Sequence, residues 1–61
     1  MKLTITIEMD NAAFDPPELE VARILRGVAQ RLDDGQRLAP DDWFPALRDV
    51  NGNLVGTVHV D

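Results

Sequence analysis

The chain has 61 residues, no cysteine and a formal net charge of −5, from eleven acidic and six basic residues. A chain of this length forms one small domain that buries about 60% of the surface its unfolded form exposes, which leaves no room for a deep enclosed cleft. The lack of cysteine excludes disulfides and thiolate metal sites. The acidic balance argues against direct binding of DNA or RNA, because phosphate contacts need a basic face.

No stretch approaches the roughly 20 apolar residues that cross a bilayer, so no membrane association is expected. The N-terminal residues MKLTITIEMD alternate between apolar and polar and lack the continuous apolar run of a signal peptide. We therefore expect a cytoplasmic protein.

Residues 2–9 alternate strictly, and this pattern predicts the first strand. Leu3, Ile5, Ile7 and Met9 share one face, while charged and threonine side chains occupy the other. One face is then buried and one is exposed, as in an antiparallel sheet covered on one side.

Residues 15–35 predict the one long helix. Asp15 is a suitable N-cap, Pro16 suits the first helical position, and Glu18 completes a capping box. Gly35 is a natural C-terminal stop. An apolar stripe at spacings of three and four runs through Val21, Ile24, Leu25, Val28 and Leu32.

The Asn51-Gly52 dipeptide lies between apolar runs and predicts a hairpin. We favour a three-residue loop over residues 50–52, with Gly52 left-handed and Asp49 opposite Asn53. This register places Leu47 opposite Val55. The same register places Phe44 opposite Val58, and Pro45 makes the second strand an edge strand.

If Phe44 and Val58 face the helix, three apolar side chains form an exposed patch on the far side of the sheet, unless the register is wrong. These residues are Trp43, Leu47 and Val55. Aromatic patches of this kind are typical of interaction surfaces.

Together these elements predict an α+β fold. The order is β-α-β-β in a single domain over residues 1–61, with a three-stranded antiparallel sheet of order 1-3-2 and one helix packed on one face. The expected core comprises Leu3, Ile5, Ile7, Val21, Ile24, Leu25, Val28, Leu32, Phe44, Leu54, Val58 and Val60.

No constellation of residues predicts catalysis, a metal or a cofactor. His59 is the single histidine and lies on the exposed strand face, and no other nitrogen or sulfur ligand accompanies it. The pairs Asp33-Asp34 and Asp41-Asp42 lie at a helix end and in a connector, where carboxylates are normally solvated, whereas catalytic carboxylates require a pocket. The chain has no serine and no phosphate-binding loop. We therefore do not expect an enzyme.

The charge pattern is the stronger functional indication. Every charged residue between Leu3 and Ala22 is acidic, whereas the arginines concentrate in the middle of the helix. Glu18, Glu20 and Arg23 are close enough along the helix for i,i+3 or i,i+4 pairing, so we expect part of the central charge to be balanced internally. The acids proposed to contact a partner are Glu8, Asp10, Asp15, Glu18, Glu20, Asp33 and Asp34.

The stretches LTITIEMDNAAFD, EVARILRGVAQRLDDG and LRDVNGNLVGTVHV resemble small acidic proteins of bacterial prophages and mobile elements, among them anti-CRISPR proteins. The resemblance implies a protein inhibitor in a bacterial host cell whose acidic face occludes the DNA-binding surface of a surveillance complex. The partner would be a protein with a basic surface. The alternative is a small adaptor or homodimeric module that uses Trp43, Leu47 and Val55, and the sequence leaves open whether the chain is a monomer or a homodimer.

Overall fold

The computed structural model describes all 61 residues and confirms the predicted β-α-β-β order. Strand β1 spans Leu3–Ile7, helix α1 spans Pro17–Asp33, and strands β2 and β3 span Leu47–Arg48 and Leu54–Val60. A short 3-10 helix at Ala12–Phe14 joins β1 to α1. The sheet is antiparallel with order β1-β3-β2, as the sequence predicted.

Strand β1 pairs along its whole length with β3, from Leu3 opposite Val60 to Ile7 opposite Gly56. Two further backbone hydrogen bonds between Lys2 and Asp61, of 2.8 and 3.0 Å, extend the ladder by one residue pair, before the start of β1 and after the end of β3. The inward-facing residues of β1 pack against the core, so the predicted alternation is correct for this strand.

The helix begins one residue later than predicted, and the capping box does not form. Pro17 is the first helical residue, and its N-cap is Pro16, which offers no side-chain acceptor. Asp15 ends the 3-10 helix in an extended conformation. The reason is steric, because a residue before proline is driven out of the helical region, and Asp15 and Pro16 both precede prolines.

The helix ends where the sequence predicted. Gly35 has a φ of +107°, a left-handed conformation that glycine adopts without penalty. The Gln36 amide donates to the Arg31 carbonyl at 2.9 Å, and the Gly35 amide donates to Leu32 at 3.2 Å. This pair of bonds is a Schellman motif, which satisfies carbonyls of the last turn.

The hairpin loop also has the predicted form. Gly52 is left-handed with a φ of +84°. The Asp49 amide donates to the Asn53 carbonyl at 2.9 Å, and the Gly52 amide donates to the Asp49 carbonyl at 3.0 Å. Asp49 therefore lies opposite Asn53, on either side of a three-residue loop.

Beyond the loop the predicted register is wrong, because β3 carries a bulge. Arg48 pairs with Leu54, but Leu47 pairs with Gly56, so Val55 is an extra residue on β3. A Cβ atom on Gly56 would overlap the Thr6 carbonyl oxygen, so β1 approaches this point more closely than a side chain allows. A glycine at such a close approach is typical of a bulged strand.

The bulge reverses which side chains face the helix. Leu47 and Val55 are buried and form the core with Phe14, Ile24 and Val28. The predicted exposed patch of Trp43, Leu47 and Val55 is therefore wrong for two of its three members, and Trp43 alone is exposed, at 77%. Leu54, predicted as core, is 62% exposed, and Leu3 and Leu25 are exposed too.

The second strand is shorter than predicted. Phe44 lies before β2 and does not pair with Val58, although both side chains pack against the core from its margin. The other predicted core residues at this margin are Ile5, Ile7, Val21 and Leu32.

Candidate functional site

Four of the predicted acids lie together along the segment that leads from β1 into α1. They are Glu8, Asp10, Asp15 and Glu18, here called the N-terminal acidic cluster. All four are exposed, and none forms a salt bridge. The Glu8 amide donates to the Val55 carbonyl at 2.7 Å, so the first member is fixed to the end of the sheet. Glu18 lies in the first turn of α1, where the helix dipole favours negative charge.

Two more predicted acids, Asp33 and Asp34, lie at the opposite end of α1 and are here called the C-terminal acidic pair. Both are exposed, and Asp34 accepts a hydrogen bond from the Gln30 side chain at 3.0 Å. The 17-residue helix separates them from the first cluster by about 25 Å at 1.5 Å per residue. The predicted acids therefore form two separate surfaces rather than one.

Glu20, the seventh predicted acid, is not available to a partner, because only 6% of it is exposed. Its two carboxylate oxygens accept hydrogen bonds from Arg23 Nε at 2.8 Å and Nη2 at 3.0 Å. The second oxygen also accepts from the Val50 amide at 2.7 Å. Glu20 thus joins the helix to the hairpin loop, and its assignment to the contact surface is corrected.

Asp49 is a second buried carboxylate, at 4% exposure, and the sequence analysis missed its role. It accepts hydrogen bonds from the backbone amides of Asn51 and Asn53, both at 2.9 Å. It also accepts from the side chains of Asn53 at 3.1 Å and Asn11 at 2.8 Å. An aspartate two residues before Asn-Gly, in a loop rich in amides, is the signal that predicts such an Asx turn.

Both buried carboxylates have a lowered pKa. For Glu20 the main cause is the hydrogen bond from Arg23, with the Val50 amide adding to it, while burial opposes the shift. For Asp49 burial raises the pKa, but the hydrogen bonds from Asn53, Asn11 and Asn51 together outweigh it. Both groups are therefore ionised near neutral pH, and their charge stabilises the hairpin instead of facing solvent.

The remaining candidate residues do not come together into a catalytic or metal-binding site. His59 Nε2 lies 3.9 Å from an Asp61 carboxylate oxygen, and both side chains are exposed. No group of three or more histidine, aspartate or glutamate side chains is arranged to hold a metal ion. The Trp43 carbonyl accepts a hydrogen bond from the Gln36 side chain at 2.7 Å, while its indole ring extends into solvent. None of the helices is both long enough and apolar enough for a membrane span.

A scan against protein-family models, a search of curated proteins and a search of solved structures each return no match for this chain.

Proposed function

We propose that the protein is a stoichiometric inhibitor of the anti-CRISPR kind, which binds a basic nucleic-acid-binding surface of a host surveillance complex and blocks DNA binding. The observation that supports this function is the exposure of six predicted acids that no basic side chain neutralises. The proposed activity involves no chemical step.

The N-terminal acidic cluster is the better candidate for the main contact. Its four carboxylates fall within eleven consecutive residues, and a hydrogen bond to β3 fixes the start of this segment. A backbone held in place loses less conformational entropy on binding than a mobile one, so more of the electrostatic energy appears as affinity. A concentrated negative field also speeds encounter with a basic partner.

The C-terminal acidic pair supplies a second contact along the same helix. The separation of about 25 Å between the two surfaces corresponds to roughly seven base pairs of duplex at 3.4 Å each. Two negative surfaces at this spacing match the length of a groove that holds a short stretch of DNA. The partner would then contact both ends of α1.

The test is charge reversal at three members of the cluster, in the variant E8K/D10K/E18K. Purified CRISPR surveillance complexes are incubated with fluorescent target DNA, and displacement of the DNA is measured against inhibitor concentration at two ionic strengths. We expect the native protein to displace DNA from at least one complex, and the variant to lose at least about tenfold in potency at the lower ionic strength, because several charge contacts are reversed.

The matched control is D41K/D42K/D61K, which changes the net charge by the same amount at other exposed acids. We expect this variant to retain most of its potency, and circular dichroism confirms that both variants are folded. Full inhibition by E8K/D10K/E18K, or equal loss in both variants, contradicts the proposal.

A further inference from the structure

A groove of about 260 Å³ runs between α1 and the chain segment that enters β2. The helix contributes Arg23, Gly27 and Arg31 to its wall, and the opposite wall is residues 45–48. A Cβ atom on Gly27 would meet no other atom within 4 Å, so the groove is open at the centre of the helix. We call it the arginine groove.

The charge of this groove is opposite to that of the whole chain. Three of the nine lining residues are arginines, and none is acidic, although the chain carries eleven acids. Arg23 is neutralised by Glu20, but Arg31 and Arg48 form no salt bridge. Two arginines without a carboxylate partner therefore flank an apolar floor, and one of them, Arg48, donates from Nη1 to the Gly52 carbonyl at 2.9 Å.

The groove also borders an open sheet edge. Strand β2 is the outer strand in the order β1-β3-β2, so one of its sides has no partner strand. The Arg48 carbonyl points toward the groove, because it accepts a hydrogen bond from Arg23 Nη2 at 3.1 Å. This bond already occupies the outward-facing carbonyl of a two-residue strand, so the arginine side chains, rather than backbone pairing, offer the contacts for a partner.

We propose that the arginine groove binds an extended acidic segment of a partner protein. Carboxylates of the segment pair with Arg31 and Arg48, and its backbone crosses the space above Gly27. A short acidic segment is attracted by the arginines of the groove, because carboxylates farther than about 10 Å away are screened at 0.1 M salt. A long polyanion such as nucleic acid also meets the acidic ends of α1, which repel it.

This site is independent of the proposed inhibitory surface, because it uses different residues and the opposite sign of charge. An acidic segment of the partner would bind the middle of α1, while a basic surface of the same partner contacts the two ends of the helix. Failure of one site therefore leaves the other unaffected.

The test uses a fluorescein-labelled peptide of alternating valine and glutamate, with a valine-glutamine peptide as the control. Anisotropy at about 0.1 M salt, where charges farther than about 10 Å are screened, reports binding to the full chain. We expect the glutamate peptide to bind and the glutamine peptide to bind at least about tenfold more weakly, because hydrogen bonds to ionised groups are the stronger ones.

Two pairs of variants locate the binding site. Arg31→Gln should weaken peptide binding by about tenfold, whereas Arg26→Gln, which removes an exposed arginine of the same helix outside the groove, should change it less than about twofold. Gly27→Leu should fill the groove and abolish binding without unfolding the chain, since open space surrounds the new side chain. Ala29→Leu, at an exposed position outside the groove, should leave binding intact.

Absence of binding by the glutamate peptide overturns the proposal. Equal effects of Arg31→Gln and Arg26→Gln also overturn it, because they indicate general charge attraction. Displacement of the peptide by a single-stranded oligothymidine at lower concentration than by unlabelled peptide overturns it as well, in favour of a nucleic-acid site.

Discussion

The bulge in β3 can be tested by mutation. The observed register and the register predicted without a bulge, here called the regular register, bury different leucines. Leu47 is buried in the core, whereas Leu54 is 62% exposed. In the regular register their positions are exchanged, with Leu54 in the core and Leu47 on the far face. Truncation of each leucine to alanine therefore gives opposite rankings in the two registers.

The expected difference is large for a chain of this size. A buried leucine truncated to alanine costs about 2–5 kcal/mol, from lost burial and the cavity left behind. The whole domain has a free energy of unfolding of about 3–9 kcal/mol, at 0.05–0.15 kcal/mol per residue. Leu47→Ala should thus remove a large fraction of the stability and lower Tm by at least about 8 °C. Leu54→Ala should change the free energy of unfolding by less than about 0.5 kcal/mol.

The assay is urea unfolding followed by far-ultraviolet circular dichroism. Trp43 fluorescence is a poor reporter here, because the indole is already 77% exposed in the folded chain. If Leu54→Ala costs as much as Leu47→Ala or more, the bulge at Val55 is not where the structure has it.

Two further predictions concern stability. Gly56→Ala should destabilise the fold, since the added Cβ would lie 3.1 Å from the Thr6 carbonyl carbon. Gly27→Ala should instead stabilise the fold by up to about 1 kcal/mol, because alanine is the better helix former. Thermal unfolding of the two variants checks both expectations. Stability should also fall in acid. Because Glu20 and Asp49 have folded pKa values below their ordinary values of 4.5 and 3.8, their contribution is fully present above those values and is lost as pH falls through the folded pKa. Urea midpoints between pH 7 and pH 2 check this, and the decrease should be smaller in Glu20→Gln and Asp49→Asn; an equal decrease in those variants contradicts the assignment.

The sequence predicted the elements well, because each has a local physical cause. Alternation in residues 2–9 is a strand pattern, and a stripe at spacings of three and four is a helix pattern. The positive φ of Gly35 and Gly52 follows from the needs of a helix end and a tight turn. Turn chemistry also specified the pairing of Asp49 with Asn53.

Two errors arose where a neighbour overrode a local rule. Asp15 is a good N-cap by residue type, but Pro16 precedes Pro17 and is therefore extended, so it cannot be the first helical residue after Asp15. Val55 fits a regular alternation, but one extra residue on β3 sends its side chain into the core. The glycine beside it was the available signal, since a glycine inside a strand often marks a bulge.

The burial of Glu20 could not be predicted from its position on the helix. Pairing with Arg23 at i,i+3 is visible in the sequence, but such pairs are commonly exposed. The Val50 amide that completes the site comes from a residue thirty positions away. Burial of this carboxylate therefore depends on the tertiary contact between α1 and the hairpin.

The bulge and the buried carboxylates together change where a partner can bind. A one-residue shift moves side chains to the opposite face of a sheet, so the bulge removes Leu47 and Val55 from the surface. Glu20 holds Arg23, and Arg23 in turn donates to the Arg48 carbonyl, so this pair shapes the wall of the arginine groove instead of adding net charge to it. The charges proposed to contact a partner then lie beside the two ends of α1, as carboxylates, and in the arginine groove between them. The proposed binding therefore involves the helix and the segments that flank it rather than the open face of the sheet.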